Sequence, residues 1–186
     1  GISSRTNSQY MIEDQRFAAQ RPDVLTFSTE TLQEDLVLSG PINASLFITT
    51  TGTDADFIVK IIDELPDTAS NLRSNLSFIQ MAGFQRLVRA EVMRGKFRNS
   101  LERPEPFEPG RISKVNIKLN DVAHIFKKGH KIVVQVQSSW FPLVDRNPQK
   151  FMKIANAQKT DFKKSSIRLY RDAKHPSSIE LTVLKN

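Results

Sequence analysis

The chain has 186 residues, 39% of them hydrophobic, and a formal net charge of +7. That length suits one domain with a real core, and no window is apolar for long enough to make a membrane-spanning helix. The absence of cysteine removes disulfides, thiolate nucleophiles and cysteine-ligated zinc together.

Gly1–Gln20 is polar and aperiodic. It reads as a linker that becomes ordered only near Tyr10–Phe17, as in a domain cut from a longer chain, and Gly1–Gln9 holds no apolar signal region. From Arg21 onward the pattern is that of strands. Asp23–Phe27 is short and apolar; Asp35–Ser39 sets Leu36 and Leu38 on one face; Asn43–Thr51 alternates Ala44, Leu46 and Ile48 with Ser45, Phe47 and Thr49. Gly40-Pro41 reads as the break between the last two. After the turn residues Gly52–Ala55, a strand over Asp56–Leu65 lines Phe57, Val59, Ile61 and Leu65 on one face.

Pro66–Gln80 has little to bury and reads as a mobile insertion. Phe84–Phe97 is expected to return antiparallel to Asp56–Leu65, and the three prolines of Asn99–Gly110 mark an extended crossing loop. Arg111–Leu119 turns Val115, Ile117 and Leu119 inward. Asn120–Phe126 reads as a helical turn capped by Asn120 and closed by Gly129. In His130–Gln137, Ile132, Val134 and Val136 point one way and Lys131, Gln135 and Gln137 the other; Pro142 then ends the extended run. Gln149–Phe162 is expected to be partly helical, and Ser178–Leu184 closes the fold with Ile179, Leu181 and Val183 inward. About eight antiparallel strands with short helical turns and no long amphipathic helix predict an all-β jelly-roll β-sandwich.

The chemistry is notable for what is missing. The seven glycines stand too far apart to write a nucleophile elbow, a dinucleotide fingerprint or a phosphate loop. His124, His130 and His175 are read as surface or hydrogen-bonded histidines rather than bases, and no His pair has metal-ligand spacing. Asp54-Ala55-Asp56 resembles the start of a calcium loop but lacks further acidic ligands, so no metal is expected; a turn tied to an arginine such as Arg146 is the favoured reading. No cofactor is implied. Pro148–Lys174 carries eight Lys and Arg against two Asp, a net +6, yet its few interleaved aromatics argue for a solvated loop or a surface facing an acidic partner rather than nucleic acid. Trp140-Phe141, holding the only tryptophan, either plugs the end of the core or anchors an interface.

Five stretches carry a family resemblance: DQRFAAQRPDVLTFSTETL (14–32), TTGTDADFIVKIIDELPD (50–67), RGKFRNSLERPEPFEPG (94–110), GHKIVVQVQSSWFPLVDRNPQ (129–149) and HPSSIELTVL (175–184). They resemble the C-terminal part of the serine hydrolases grouped with X-Pro dipeptidyl-peptidases and cocaine esterase, most of all α-amino-acid ester hydrolases and glutaryl-7-aminocephalosporanic acid acylases. The resemblance implies a galactose-binding-like jelly roll over residues 21–186, with 1–20 the lead-in from a missing upstream hydrolase domain. It implies a noncatalytic role: packing on the α/β-hydrolase and cap domains of the same chain and shaping their cleft. The catalytic triad of the family lies upstream, so no catalytic residue is assigned here. Interdomain contacts are expected from Trp140, Phe141, Leu143, Tyr10 and Phe17, and a loop network from Asp54, Asp56, Asp145 and Arg146. The rival reading, an independent carbohydrate-binding module, would need more exposed aromatics. Oligomeric state, a homo-oligomer of the parent included, and the parent's substrate are left open; the resemblance points to a periplasmic or secreted enzyme, and the residues point to neither membrane nor nucleic-acid partners.

Overall fold

The structure, a computed structural model, describes residues 12–73 and 78–184. A single turn of helix, α1 (Arg16–Ala19), precedes ten strands: β1 (Val24–Ser28), β2 (Leu36–Thr50), β3 (Asp56–Glu64), β4 (Leu72–Arg73), β5 (Phe78–Ile79), β6 (Gln85–Arg94), β7 (Ser113–Phe126), β8 (Lys131–Gln137), β9 (Ile167–Leu169) and β10 (Ser178–Leu184). Eight of them form the sandwich. One sheet runs β1-β8-β3-β6; the other runs β10-β2-β7, with β9 on the end of β2; every pairing is antiparallel. Successive strands mostly alternate between the sheets, which is the wrapping of a jelly roll. The all-β sandwich expected from the strand pattern is the fold observed.

The core lies between the sheets. Leu38, Ile42, Leu46 and Ile48 of β2 and Val115, Ile117 and Leu119 of β7 meet Phe57, Val59 and Ile61 of β3 and Ile132 and Val136 of β8. Val134 and Leu181, expected to be fully inside, are only partly buried against this cluster. The antiparallel return of β6 along β3 and the bounds of β10 agree with the expectation.

Several expectations are corrected. Gly40-Pro41 does not separate two strands: β2 runs through it, and the register against β7 shifts between Gly40 and Ile42. A bulge is one of the few places in a sheet that tolerates proline, and Gly40 adopts φ +125, a conformation open to glycine. Asn120–Phe126 is not a helical turn. It extends β7, because Leu36–Gly40 lies opposite and takes up its backbone groups, while Val122 and Phe126 bury inward. β9 went unforeseen, since three residues carry too short a pattern to read. Within Pro66–Gln80 the described residues include the small hairpin β4–β5. The region Gln149–Phe162 holds two 3-10 turns, Ile154–Asn156 and Lys159–Asp161.

The most consequential correction concerns the outer face of the first sheet. Gln135 and Gln137 of β8, expected to face solvent, are buried, as are Ile58, Lys60 and Ile62 of β3. A central strand buried on both faces means that something covers the sheet from outside. Part of the cover comes from residues preceding β1, and part from Trp140 after β8.

Candidate functional site

Residues 14–20 lie across the outer face of the first sheet as a strap. The Gln15 backbone N–H donates to the Gln85 carbonyl (2.9 Å), and the Gln135 side-chain amide donates to the Gln15 carbonyl (3.2 Å). Asp14 and Arg16 pair with each other, and Arg16 also donates to the Ala82 carbonyl. At the centre is Lys60, only 1% exposed. Its Nζ donates to Gln15 Oε1 at 2.8 Å and lies 4.6 Å from the centre of the Trp140 ring and 5.7 Å from that of Phe17. An ammonium between ring faces is attracted by their negative quadrupoles, which compensates part of the hydration it gives up. Burial, aided by the positive charge of Arg21, lowers the Lys60 pKa to about 8.

The two aromatics at the exit of β8 therefore differ. Trp140 is 7% exposed and belongs to the covered layer, whereas Phe141 and Leu143 stand out at 57% and 48%. Phe17, on the strap, shows its other side to solvent at 49%. Phe17 meets Trp140 across Lys60, and Phe141 and Leu143 follow Trp140 in the chain, so these three exposed apolar side chains flank the corner formed by the strap and the exit of β8. Tyr10 lies outside the described residues.

Next to this corner, the loops after β2 and β8 are joined, but not by the expected arginine. Asn147 Nδ2 donates to Asp56 Oδ1 (2.8 Å), while Asn147 Oδ1 accepts from the Gln149 backbone N–H (2.8 Å). Asp145 pairs with Arg94 of β6 at 2.8 Å. Arg146 instead stacks over Phe141 and Phe162, 5.6 and 5.5 Å from the ring centres. A side-chain amide can donate and accept at once in a buried gap, which a guanidinium cannot. Asp54 accepts from the Ala55 N–H (2.9 Å) and faces Lys96 at 3.7 Å. Gly95 is required here. Its N–H donates to the Ala55 carbonyl, and a Cβ would come within 2.6 Å of that oxygen and 2.5 Å of the Phe107 ring.

Burial pushes both carboxyls up. Asp54 rises despite its hydrogen bonds and Lys96, and Asp56 reaches about 6 because desolvation outweighs Asn147 and the charge of Arg94. A carboxyl whose pKa is raised by folding stabilises the fold only when protonated, so this contribution is lost as pH rises from about 4 through 6. Asp56→Asn, which keeps an oxygen for Asn147, is expected to gain about 2 kcal/mol over the wild type at pH 7 and to match it near pH 4. Urea unfolding at the two pH values checks this.

The histidines are structural. Asp63, at the end of β3, is hydrogen-bonded to His124 of the opposite sheet (Nε2 to Oδ2, 3.0 Å) and to His130 of the β7–β8 turn (Nδ1 to Oδ1, 2.7 Å). Burial raises its pKa, but the two histidine bonds outweigh that and hold it below the usual carboxylate value. The group ties the sheets together at one end. His175 sits against Asp172, between the Phe47 and Tyr170 rings. Among the described residues no serine hydroxyl is hydrogen-bonded to a histidine ring, and no cluster of His and acidic residues has metal-binding geometry.

What the residue pattern did not reveal was Lys60, Asn147 and the Phe141–Arg146–Phe162 stack. A lysine in a strand reads as a solvent-facing residue, and the strap, some forty-five residues upstream, together with Trp140 makes it otherwise.

Comparison with known proteins places this arrangement. Residues 5–180 match the X-Pro dipeptidyl-peptidase C-terminal non-catalytic domain. The chain is 33% identical over 172 residues to the cocaine esterase of Rhodococcus sp. (strain MB1 Bresler), covering 92% of this chain and 27% of that protein. Among solved structures it is similar to an aminopeptidase from a marine sediment archaeon, Thaumarchaeota archaeon (TM-score 0.85, 40% identity), and to an α-amino acid ester hydrolase (TM-score 0.85, 39% identity); each match covers 94% of this chain and 28% of the other. A CocE/NonD family hydrolase from Staphylococcus aureus, at 19% identity over 87% of this chain and 30% of that one, shares the fold (TM-score 0.62). The chain thus spans between a quarter and a third of the length of the proteins it matches. It belongs to the X-Pro dipeptidyl-peptidase C-terminal non-catalytic domain family.

Proposed function

We propose that this chain is the C-terminal buttress of a larger serine hydrolase, packing on the α/β-hydrolase and cap domains that precede it and helping to wall their cleft. The parent would act on ester or amide bonds, the chemistry shared by the esterase, ester hydrolase and aminopeptidase to which the chain is similar. Residues 1–20 would be the interdomain lead-in. The observation that carries the reading is the corner where the chain enters. Phe17, Phe141 and Leu143 leave apolar area exposed beside the strap, and a face of this kind marks a contact.

Two measurements test it. The 186-residue chain should not hydrolyse amino-acid esters in a serine-dependent way, since its sequence holds neither a nucleophile elbow nor an oxyanion-hole motif. In the full-length parent, Phe141→Ser combined with Leu143→Ser should lower the melting temperature by several degrees or cut activity about fivefold, and should leave the isolated chain's melting unchanged. A full-length double variant indistinguishable from wild type in both respects would refute the docking face.

A further inference from the structure

Phe141, Arg146 and Phe162 form a stacked group on the surface. All three side chains are exposed, yet Arg146 is held over two rings, so little of its side-chain freedom remains to be lost on binding. Its neighbours are committed elsewhere: Asp145 to Arg94, Lys150 to Asp161. Among the described residues Arg146 has no carboxylate partner. The Lys163 backbone N–H donates to the Pro148 carbonyl at 3.0 Å, which pins the segment carrying Phe162 beside the turn that carries Arg146. The segment from Pro148 to Lys174 carries a net +6.

Nucleic acid would use exposed ring faces as stacking platforms for bases. Here Arg146 already occupies a face of each ring, which favours an acidic protein surface. The occupant that fits is on the same polypeptide. The aminopeptidase and the ester hydrolase it matches are more than three times as long as this chain, and the matched family is a C-terminal domain, so most of their chain precedes it. The chain enters the fold at the strap, whose Phe17 shares Lys60 with Trp140, the residue next to Phe141.

We propose that Arg146, held between Phe141 and Phe162, is the anchor that receives a carboxylate from an acidic face of the preceding hydrolase part of its own polypeptide. This rests on the docking reading above and adds to it the charge of the partner surface and the residue that reads it.

Hydrogen exchange of residues 141–149, followed in the full-length polypeptide and in the 186-residue chain, tests it. Arg146→Met keeps an apolar side chain between the rings and removes the charge; Arg146→Lys keeps the charge and loses the planar fork. In the full-length protein Arg146→Met is expected to speed exchange about tenfold at about 50 mM NaCl and by much less at about 500 mM, with Arg146→Lys between. The isolated chain should show no change. Equal protection of Arg146→Met and wild type at both salts would overturn the inference while leaving the docking reading intact. Wild-type full-length protein that protects the corner no better than the isolated chain does would overturn both. Sub-micromolar binding of a single-stranded RNA oligonucleotide by the isolated chain, lost in Arg146→Met, would overturn the inference in favour of a nucleic-acid face.

Discussion

Between pH 8 and about 10.5 the unfolding free energy of the wild-type chain is expected to rise by about 3 kcal/mol relative to that of Lys60→Met. The cause is where the amine sits. Folding lowers the Lys60 pKa from an ordinary 10.5 to about 8, chiefly by burial. Below pH 8 the amine is charged in both the folded and the unfolded chain, so the whole penalty for burying the charge is present. As pH rises past 8 the folded amine loses its proton first, and above 10.5 both forms are neutral and the penalty is gone. Methionine carries no charge at any pH, and the other titrating groups cancel in the difference. Urea unfolding of both chains across this range measures it. A difference that stays flat would show that water reaches the ammonium beneath the strap.

The second large effect separates two neighbours in sequence. Trp140→Ala should destabilise the isolated chain by about 3–5 kcal/mol, because it empties a covered site and takes away the ring on which the Lys60 ammonium rests. Phe141→Ser should change stability by no more than about 0.5 kcal/mol, since more than half of that side chain is already in water. Far-UV circular dichroism is the appropriate probe, as the first variant removes the only tryptophan. Comparable losses in both would make Phe141 a core residue and move the contact surface elsewhere. The two rings of the pair thus differ: Trp140 is a pillar of the fold, and Phe141 stands out to solvent.

Period-2 patterns made much of the sandwich readable. β10 spans the residues its alternation suggests, with Ile179 and Leu181 facing the core, but Val183 lies beyond a register shift after Leu181 and is exposed rather than inward; β3 pairs with β6 as expected. The failures have a common cause in contacts between residues far apart in sequence. Asn120 and Gly129 are sound local signals for a helical turn, but the backbone of Leu36–Gly40 offers a longer ladder and wins. Gln135 looks outward until Gln15, 120 residues earlier, closes over it. At the corner, the opposite charges of Asp56 and Arg146 suggested the joining of two loops. The loops are joined, but by Asn147, because a buried carboxylate with a raised pKa is better served by an amide than by a second desolvated charge.

The strap bears on how strongly the domain would need to hold the hydrolase part proposed to precede it. Gln15 is tied to three strands, by bonds to Gln85, Lys60 and Gln135, so a tether from a preceding domain would start at the sheet rather than at β1. In the proposed assembly the shorter tether would raise the local concentration of that domain, to about millimolar for a short flexible linker. Contacts far too weak to join two separate molecules would suffice in that situation. A flexible insertion just before residue 14 would then loosen the assembly without touching a single contact in it.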